Sequence, residues 1–505
     1  MDSDAQEYAS AAPSIDLALE STPAAWGALW GKPNTTVNEV NWRALKRDSR
    51  SLADSIRVTD ERTTFQSLVG SAELSSKPVH RWFAYKEGFS PDLLGRVLDK
   101  LDAGSNLNIV DPFGGVGTTA LAGLLESRVQ EVRSVEYSPL AHFIGRSKLE
   151  SLALDGERLR GLADDALNYP KSGSVEIPHL SSLKDTRIFT TSRVAAIVRA
   201  RDHIQSLKHA TPQERAFLLV GLGAVVEDLS GIMKDGRALR IVDGRRRRPS
   251  SLARDVRGSQ SSSPVKAALG SQWSYMIDDL GTFGQVRANV QAQLLRGDAR
   301  DLTNTKLSNG KDAFPDGWAD VSCFSPPYLN FIDYTEVHKL ELWLLGFVES
   351  QEQMRTLRRG TLRSHPSVRF HDEAPRLSDE RPETRLINGL EAWLRSRSLR
   401  PGDAIVIRQY FEDMFAVFQE QHRVLRSGGT AVCVVANSTF SRRTRQDDGT
   451  LVEEWRVPVL TDVLLAHVAL SAGFEHAEVW EARRLRPRNV NAGSARESLV
   501  VARKH

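Results

Sequence analysis

Hydrophobic positions along this chain form short continuous runs and separate segments with helical spacing or composition. The short runs predict buried β-strands at residues 107–110, 132–135, 293–297 and 320–324. The helical segments are residues 120–125, 192–207, 212–228 and 383–397. The first strand leads through a glycine turn into the first helical segment. This order of strand, turn and helix is typical of an α/β nucleotide-binding unit.

The glycine turn has the sequence DPFGGVGTT, from Asp111 to Thr119. Gly115 and Gly117 have no side chain where a ligand would approach the backbone. Thr118 and Thr119 stand where N–H groups gather at the N-terminus of a helix. A methionine carboxylate or a phosphate would suit such a turn. Nicotinamide, flavin and nucleotide enzymes share the pattern and many such turns bind nothing, so the glycines alone do not identify a ligand.

Two acidic residues stand at the ends of later predicted strands. Glu136 follows residues 132–135, and Asp298 follows residues 293–297. A carboxylate at the end of the second strand of a dinucleotide fold can accept both ribose hydroxyls. Either acid taken alone is better explained as a solvated side chain at a strand end. Their order behind the glycine turn is what favours a cofactor site.

A second string, SPPY from Ser325 to Tyr328, directly follows the predicted strand 320–324. Pro326 and Pro327 remove two N–H donors and stiffen the turn, so its carbonyl oxygens can only accept. The Ser325 hydroxyl and the Pro326 carbonyl could therefore hold both hydrogens of a base's exocyclic amine. Tyr328 offers an aromatic face to a base flipped from the duplex, a contact worth about 1–3 kcal/mol. The alternative is a proline-stiffened loop with a core tyrosine, which the position behind the glycine turn disfavours.

Together the two strings resemble the DNA amino-methyltransferase family, whose members methylate N4 of cytosine or N6 of adenine. Further matching segments are RWFAYKEGFS at 81–90, GDAR at 297–300, RVLRSGG at 423–429 and ESLVV at 497–501. The resemblance implies S-adenosylmethionine as cofactor. It also implies a doubly wound, Rossmann-like α/β sheet of about seven strands with a helical insertion. The core would comprise residues 77–150, 291–348 and 402–505.

The resemblance also assigns roles to individual positions. The cofactor-binding residues that it implies are Phe83, Tyr85, Phe89, Ser90, Asp111, Pro112, Phe113, Gly114, Gly115, Gly117, Thr118, Thr119, Glu136, Asp298 and Ala299. Its catalytic turn matches Ser325, Pro326, Pro327 and Tyr328. His338 lies just beyond this turn, and a structural role is expected for it, because an amine that attacks a sulfonium needs little help from a base.

The resemblance favours cytosine N4, since a serine in the first position of the turn is more usual in those enzymes. Three alternatives stay open: N6 methylation of adenine, base methylation of RNA, and a non-catalytic DNA-recognition subunit. The family further implies double-stranded DNA as a partner. A restriction nuclease or another subunit of a restriction-modification or phage-defence system would be a second partner.

Methylation at carbon is disfavoured by the cysteine positions. Cytosine C5 enzymes need a nucleophilic cysteine directly after a proline, because the ring must be activated by covalent addition. No cysteine follows a proline in this chain. Cys323 lies inside a predicted strand, where the expected role is that of a small buried side chain.

Composition narrows the class of protein. A chain of 505 residues, 40% hydrophobic and 26% charged, can bury a large core in two or three structural units. Two cysteines without metal-ligand spacing predict neither a disulfide framework nor a metal site. The acidic, polar N-terminus lacks a signal-peptide pattern and no apolar stretch approaches about 18 residues, so a cytoplasmic protein without membrane contact is expected. A homo-oligomer stays open.

Arginine is concentrated between residues 231 and 266, among Ser and Gly residues that cannot bury a core. Guanidinium forks suit phosphate oxygens and guanine edges, so DNA contact is expected there, with a solvated basic linker as the alternative. The residues concerned are Lys234, Arg237, Arg245, Arg246, Arg247 and Arg248. The predicted division outside the core is an N-terminal extension at 1–76, a helical and Arg-rich insertion for target recognition at 151–290, and a second basic insertion at 349–401.

Overall fold

The computed structural model describes residues 39–234, 239–241, 263–283, 290–368, 377–397, 401–447, 449–485 and 495–505. Its strands, numbered along the chain, are β1 (Arg57–Asp60), β2 (Leu107–Asp111), β3 (Val129–Glu136), β4 (Ile232–Lys234), β5 (Leu239–Ile241), β6 (Gln291–Arg296), β7 (Ala319–Phe324), β8 (Leu425–Ala436), β9 (Ser438–Arg445), β10 (Leu451–Val459), β11 (His476–Leu485) and β12 (Ala495–Arg503). All four predicted strands are present.

Eight of the strands form one sheet in the order β1-β11-β12-β8-β7-β2-β3-β6. Strands β6, β3, β2, β7 and β8 are parallel neighbours, and β12 runs antiparallel between β8 and β11. The predicted α/β class is confirmed, with one strand more than the seven expected. The additional strand β1 pairs in parallel with β11 and comes from the segment that was predicted as an extension.

Helices cover both faces of this sheet, as in a doubly wound fold. Those that adjoin the sheet strands are Leu93–Lys100, Thr118–Leu125, Pro139–Ser151, Pro401–Val424 and Thr461–Ser471. Successive residues of β8 face opposite cores: Val432 and Val434 pack with the first two helices, and Cys433 and Val435 pack with the last two. This alternation follows from the period of two in a strand whose two faces are both buried.

The chain between β3 and β6 is mostly helical. Its described helices are Gly156–Leu167, Ser181–Lys184, Thr191–Ser206, Pro212–Leu229 and Ser263–Thr282. Thr211 and Glu214 form a capping box at the start of the fourth, where Pro212 occupies the first turn. These helices share a hydrophobic core with Leu140 and Ile144 of the helix Pro139–Ser151. The predicted helical character of this segment is confirmed, whereas its role in target recognition stays a prediction.

The remaining helices are Glu39–Ser55, Arg62–Phe65, Tyr334–Val337, Lys339–Leu344, Gln351–Gly360 and Pro382–Arg397. The first packs on the last, since the rings of Trp42 and Trp393 lie 5.0 Å apart. Trp393 also meets Trp455 of β10 edge-on at 5.1 Å. Among the described residues, no helix is both long enough and apolar enough to cross a membrane.

The strand order alone, without any side chain, indicates where a ligand site should lie. The chain moves from β2 to β3 and β6 on one side, and then returns to β7 on the other side of β2. In an open α/β sheet, ligands bind outside the carboxyl ends of the strands at such a change of direction. The glycine turn follows β2 and the SPPY turn follows β7, so both strings meet at this crevice.

Candidate active site

A cleft of about 1340 Å³, including its open mouth, lies at the carboxyl ends of the central strands. Most of the residues predicted for the site line it. They are Phe83, Tyr85, Phe89, Asp111, Pro112, Phe113, Gly114, Gly115, Thr118, Glu136, Asp298, Ala299, Ser325 and Pro327. The structure thus brings together segments that are more than 200 residues apart in the sequence.

Five predicted residues are not among those that line this cleft. They are Ser90, Gly117, Thr119, Pro326 and Tyr328. The Ser90 hydroxyl is buried and donates to the carboxylate of Glu73. Gly117 begins the helix Thr118–Leu125 in a left-handed conformation.

The backbone of the glycine turn adopts a conformation that side chains disfavour. Gly115 has a φ of 52° and Gly117 a φ of 88°. A Cβ atom on Gly117 would lie 3.3 Å from the Cα atom of Gly145 in the next helix, so that helix can approach the turn only because the side chain is absent. The sequence prediction of a tight glycine turn is confirmed in this geometry.

Asp111 closes strand β2 and anchors the turn that follows. Its carboxylate accepts from the Thr119 hydroxyl at 2.5 Å and from the Phe113 N–H at 2.9 Å. Burial raises the pKa of Asp111 to about 7, although both hydrogen bonds lower it. Thr119 therefore acts through Asp111, since it does not line the cleft.

Glu136 at the end of β3 is bonded to the glycine turn. One carboxylate oxygen accepts from the Gly115 N–H at 2.9 Å, and the other accepts from the Ser138 N–H at 2.6 Å. Burial raises the pKa of Glu136 above its ordinary value. Each carboxylate oxygen keeps a further lone pair, which is available to a ligand hydroxyl.

Asp298 follows β6 and is held by a neighbour in the chain. Arg300 Nη2 donates to one of its oxygens at 2.7 Å, and Arg300 Nε donates to the other at 3.0 Å. The same guanidinium also contacts Asp413 at 3.2 Å and the Gly360 carbonyl at 2.8 Å. Arg300 therefore links the strand end to the long helix and to the second insertion.

The SPPY turn and the residues after it are fixed by contacts with four other segments. Ser325 Oγ lies 3.3 Å from the Val434 carbonyl oxygen of β8 and 3.5 Å from the Tyr328 hydroxyl. Asn330, with a φ of 56°, donates from its backbone to the Ser364 carbonyl at 2.7 Å and from its side chain to the Thr439 carbonyl at 3.2 Å. The Tyr328 hydroxyl donates to Glu497 on β12 at 2.8 Å.

The sequence reasoning missed part of the wall. The missed part comes from the second insertion, which contributes residues from Gly360 to Val368. Asp333 and Tyr334, which follow the SPPY turn, line the cleft as well. Asp333 pairs with Arg358 of the second insertion, which ties the two together. No local sequence signal identifies these contacts, because they depend on how a long insertion folds back.

A buried charged cluster lies beside the aromatic residues of the cleft. His338 stacks on Tyr85 with ring centroids 5.5 Å apart, and its Nε2 lies 3.7 Å from Glu87 Oε2. Neither of those two atoms has a hydrogen bond in the described structure, and both residues line the cleft. Glu87 falls within the segment 81–90, one of those on which the family resemblance rests. Its position in that segment could have identified it as a residue of the site.

Lys234 is placed differently from the expectation for a DNA contact. It is only 5% exposed, and its Nζ lies 2.6 Å from Glu341 Oε1 and 3.1 Å from His338 Nδ1. A buried ammonium already paired with a carboxylate does not reach phosphate, so we assign Lys234 a structural role. The other predicted DNA contacts, Arg237, Arg245, Arg246, Arg247 and Arg248, lie outside the described residues.

Comparison with known proteins agrees with this geometry. The chain is 25% identical over 426 residues to the Type II methyltransferase M.AvaI of Nostoc sp. (strain PCC 7120 / SAG 25.82 / UTEX 2576) and to that of Anabaena variabilis, covering 81% of this chain and 82% of each relative. It is 23% identical over 417 residues to the Type II methyltransferase M.BsoBI of Geobacillus stearothermophilus, covering 76% of this chain and 79% of that relative. These similarities support a methyltransferase. No family model matches the sequence.

The chain also aligns, at low similarity, with a solved structure. It is the rRNA methyltransferase aviRa from Streptomyces viridochromogenes, with a TM-score of 0.27 and 11% identity over 86% of this chain and 92% of that one.

Proposed function

We infer that this methyltransferase transfers a methyl group from S-adenosylmethionine to the exocyclic N4 amine of cytosine in DNA. The observation that carries the inference is the meeting of two turns in one cleft. The glycine turn after β2 suits the cofactor, and Ser325 and Pro327 of the turn after β7 line the same cavity. Similarity to Type II methyltransferases along most of the chain supports the same reaction class.

The polar groups in the cleft fit the parts of S-adenosylmethionine. Glu87 Oε2, which accepts no hydrogen bond in the described structure, suits an ammonium group, and the remaining lone pairs of Glu136 suit ribose hydroxyls. The left-handed backbone at Gly115 leaves room for close approach of a ligand. Asp298 and Ala299 complete the opposite edge as the adenine side. When bound, this cofactor supplies a methyl group activated by a positively charged sulfur.

The protein's own groups would hold the base and exclude water. The Ser325 hydroxyl and the Pro326 carbonyl accept from the two amine hydrogens, which directs the nitrogen lone pair into the cleft. The Tyr328 ring gives the flipped base a stacking surface. An amine needs no strong base before it attacks a sulfonium, so orientation and proximity account for most of the rate increase.

Double-stranded DNA is the proposed substrate polymer, and the Arg-rich part of residues 151–290 is proposed to contact it. Proteins that act on a base in a duplex need cationic contacts to phosphate for affinity and groove contacts for specificity. A restriction nuclease or another defence-system subunit is the proposed functional partner, in line with the Type II designation of the relatives.

Mass spectrometry of nucleosides tests the proposal. DNA from a methylation-free host that expresses the chain should contain N4-methylcytosine, and the signal should disappear with Ser325→Ala. Ser378→Ala, at an exposed serine remote from the cleft lining, is the matched control and should keep the signal. N6-methyladenine in place of N4-methylcytosine would change the base and keep the mechanism. Methylated RNA, or no methylated base at all, would contradict the proposed substrate.

A further inference from the structure

Tyr328 of the catalytic turn is bonded to the last strand of the sheet. Its hydroxyl donates to Glu497 Oε1 at 2.8 Å. Glu497 is only 3% exposed and stands on β12, 169 residues from Tyr328 along the sequence. Its second oxygen accepts from Arg483 Nε on the neighbouring strand β11, with which it is in register. Both carboxylate oxygens are thus engaged from different sides.

The protonation of Tyr328 and Glu497 determines that the phenol is the donor of this hydrogen bond and the carboxylate is the acceptor. Burial and the nearby Glu497 carboxylate raise the pKa of Tyr328 well above its ordinary value, so the phenol keeps its proton. Burial raises the pKa of Glu497 above its ordinary value, and the Arg483 guanidinium opposes this effect. A neutral phenol that donates to a carboxylate makes a charge-assisted hydrogen bond, which is stronger than a bond between neutral groups.

The contacts continue from Tyr328 into the cleft. Ser325 Oγ lies 3.5 Å from the Tyr328 hydroxyl, and Ser325 lines the cavity, whereas Tyr328 is not among the lining residues. A line of polar contacts therefore runs from the cleft through Ser325 and Tyr328 to Glu497 and Arg483 inside the sheet. The centroid of the Tyr328 ring also lies 6.0 Å from that of Phe331, with the two rings tilted against each other, so the ring has a packing partner in addition to the hydrogen bond of its hydroxyl.

We propose that Glu497 is a positioning residue for base methylation: its carboxylate fixes the Tyr328 ring, and with it the Ser325 hydroxyl, in the orientation that receives the flipped base. This role rests on the proposed function. Glu497 does not itself touch the reacting atoms. Arg483 and Tyr328 each donate to one of its oxygens, and Glu497 is not among the residues that line the cleft, so it serves as a rigid acceptor for these two partners rather than as the acceptor of the released proton.

Three substitutions separate positioning from proton transfer. Tyr328→Phe removes only the hydroxyl, and Glu497→Ala removes the acceptor. Glu497→Gln keeps hydrogen-bonding capacity toward both partners, because an amide can accept from Arg483 and donate to the phenol oxygen, but it takes up no proton. Glu481→Gln is the matched control, since Glu481 is likewise buried at 2% exposure and paired with an arginine, Arg484, at 2.7 Å, without contact to the catalytic turn.

The measurements are kcat and KM for DNA, the affinity for S-adenosylhomocysteine, and the fluorescence of 2-aminopurine placed at the target base. Tyr328→Phe and Glu497→Ala are expected to lower kcat about tenfold or more and to reduce the 2-aminopurine signal, with cofactor-product affinity changed less than about twofold. Glu497→Gln should recover most of kcat. The double variant should be little worse than either single variant, because both remove the same contact.

Two results would overturn the proposal. Full activity of Tyr328→Phe would show that the bond to Glu497 does not matter for the reaction. Equal loss in Glu497→Gln and Glu497→Ala would assign Glu497 to proton transfer instead. If Glu497→Ala fails to fold, Tyr328→Phe and Glu497→Gln still decide the question. An inactive wild-type protein would contradict the proposed function itself. An active wild type with variants that do not differ from it would contradict only the positioning role of Glu497.

Discussion

The Thr119 hydroxyl donates to the Asp111 carboxylate at 2.5 Å and closes the glycine turn between β2 and the following helix. Asp111 is 2% exposed, and this burial raises its pKa to about 7 from a model-compound value of 3.8. A carboxyl group whose pKa is higher in the folded state binds its proton more tightly there. Its contribution to stability is therefore present at low pH and is lost as the pH rises toward 7.

Asp111→Asn should consequently gain stability relative to the wild type as the pH increases. From pH 5 to pH 8, we expect the free energy of unfolding of the wild type to fall by about 2 kcal/mol relative to that of the variant. Urea denaturation at both pH values measures it. Thr119→Val removes a hydrogen bond that lowers the Asp111 pKa, so it should make the total loss of stability between pH 5 and pH 8 larger. A pH-independent difference between Asp111→Asn and the wild type would contradict the burial argument.

Gly115→Ala should weaken cofactor binding while the protein stays folded. At a φ of 52° an alanine is strained by about 1–2 kcal/mol, but its Cβ would meet the nearest atom, Tyr85 Cε1, only at 3.4 Å. We expect affinity for S-adenosylhomocysteine, measured by calorimetry, to fall about tenfold.

Gly310→Ala is the control for backbone strain. Gly310 has a φ of 80°, and a Cβ there would meet nothing within 4 Å. It should lower the free energy of unfolding by a similar amount and leave the calorimetric affinity unchanged. Equal effects of both substitutions on affinity would mean that strain, and not contact with the ligand, explains the Gly115 result.

The parts of the site that the sequence predicted are those encoded by local patterns. A strand that ends in a glycine turn and a strand that ends in SPPY each appear within ten residues, and the rule for open α/β sheets then places both at one crevice. Asp111, Gly115 and Ser325 could be identified in this way. Helices with clear apolar spacing, such as Pro212–Leu229, could be predicted from the sequence in the same way.

The parts that were missed depend on contacts between distant segments. Strand β1 pairs with β11 across more than 400 residues, and four residues of mixed polarity do not specify such a partner. Glu497 was recognised only as part of a final strand, since its bond to Tyr328 is not visible in sequence. Lys234 was grouped with neighbouring basic residues by composition, whereas its burial is set by Glu341 on a separate helix.

The buried pair of Lys234 and Glu341 leads to a stability prediction. Both residues are at most 5% exposed, so removing one charge leaves the other uncompensated. Lys234→Met should lower the free energy of unfolding by about 3–5 kcal/mol. The double variant Lys234→Met with Glu341→Leu should recover much of that loss, as measured by urea denaturation.

DNA affinity distinguishes this structural role from the DNA contact expected of a basic residue. In the folded double variant, fluorescence anisotropy with a DNA duplex should give an affinity within about twofold of the wild type. A large loss of affinity together with a weaker salt dependence would restore Lys234 as a phosphate contact.

Cys323 gives a test of amine against carbon methylation. It lies on β7 two residues before Ser325, fully buried, and burial raises the pKa of its thiol, so the thiolate needed for covalent attack is scarce at neutral pH. Cys323→Ala should retain at least about half of the methyl transfer, whereas Ser325→Ala should abolish most of it. Cys433→Ala, at the buried cysteine of the adjacent strand β8, controls for packing loss. Inactivation by Cys323→Ala but not by Cys433→Ala would contradict this assignment of Cys323 to packing alone.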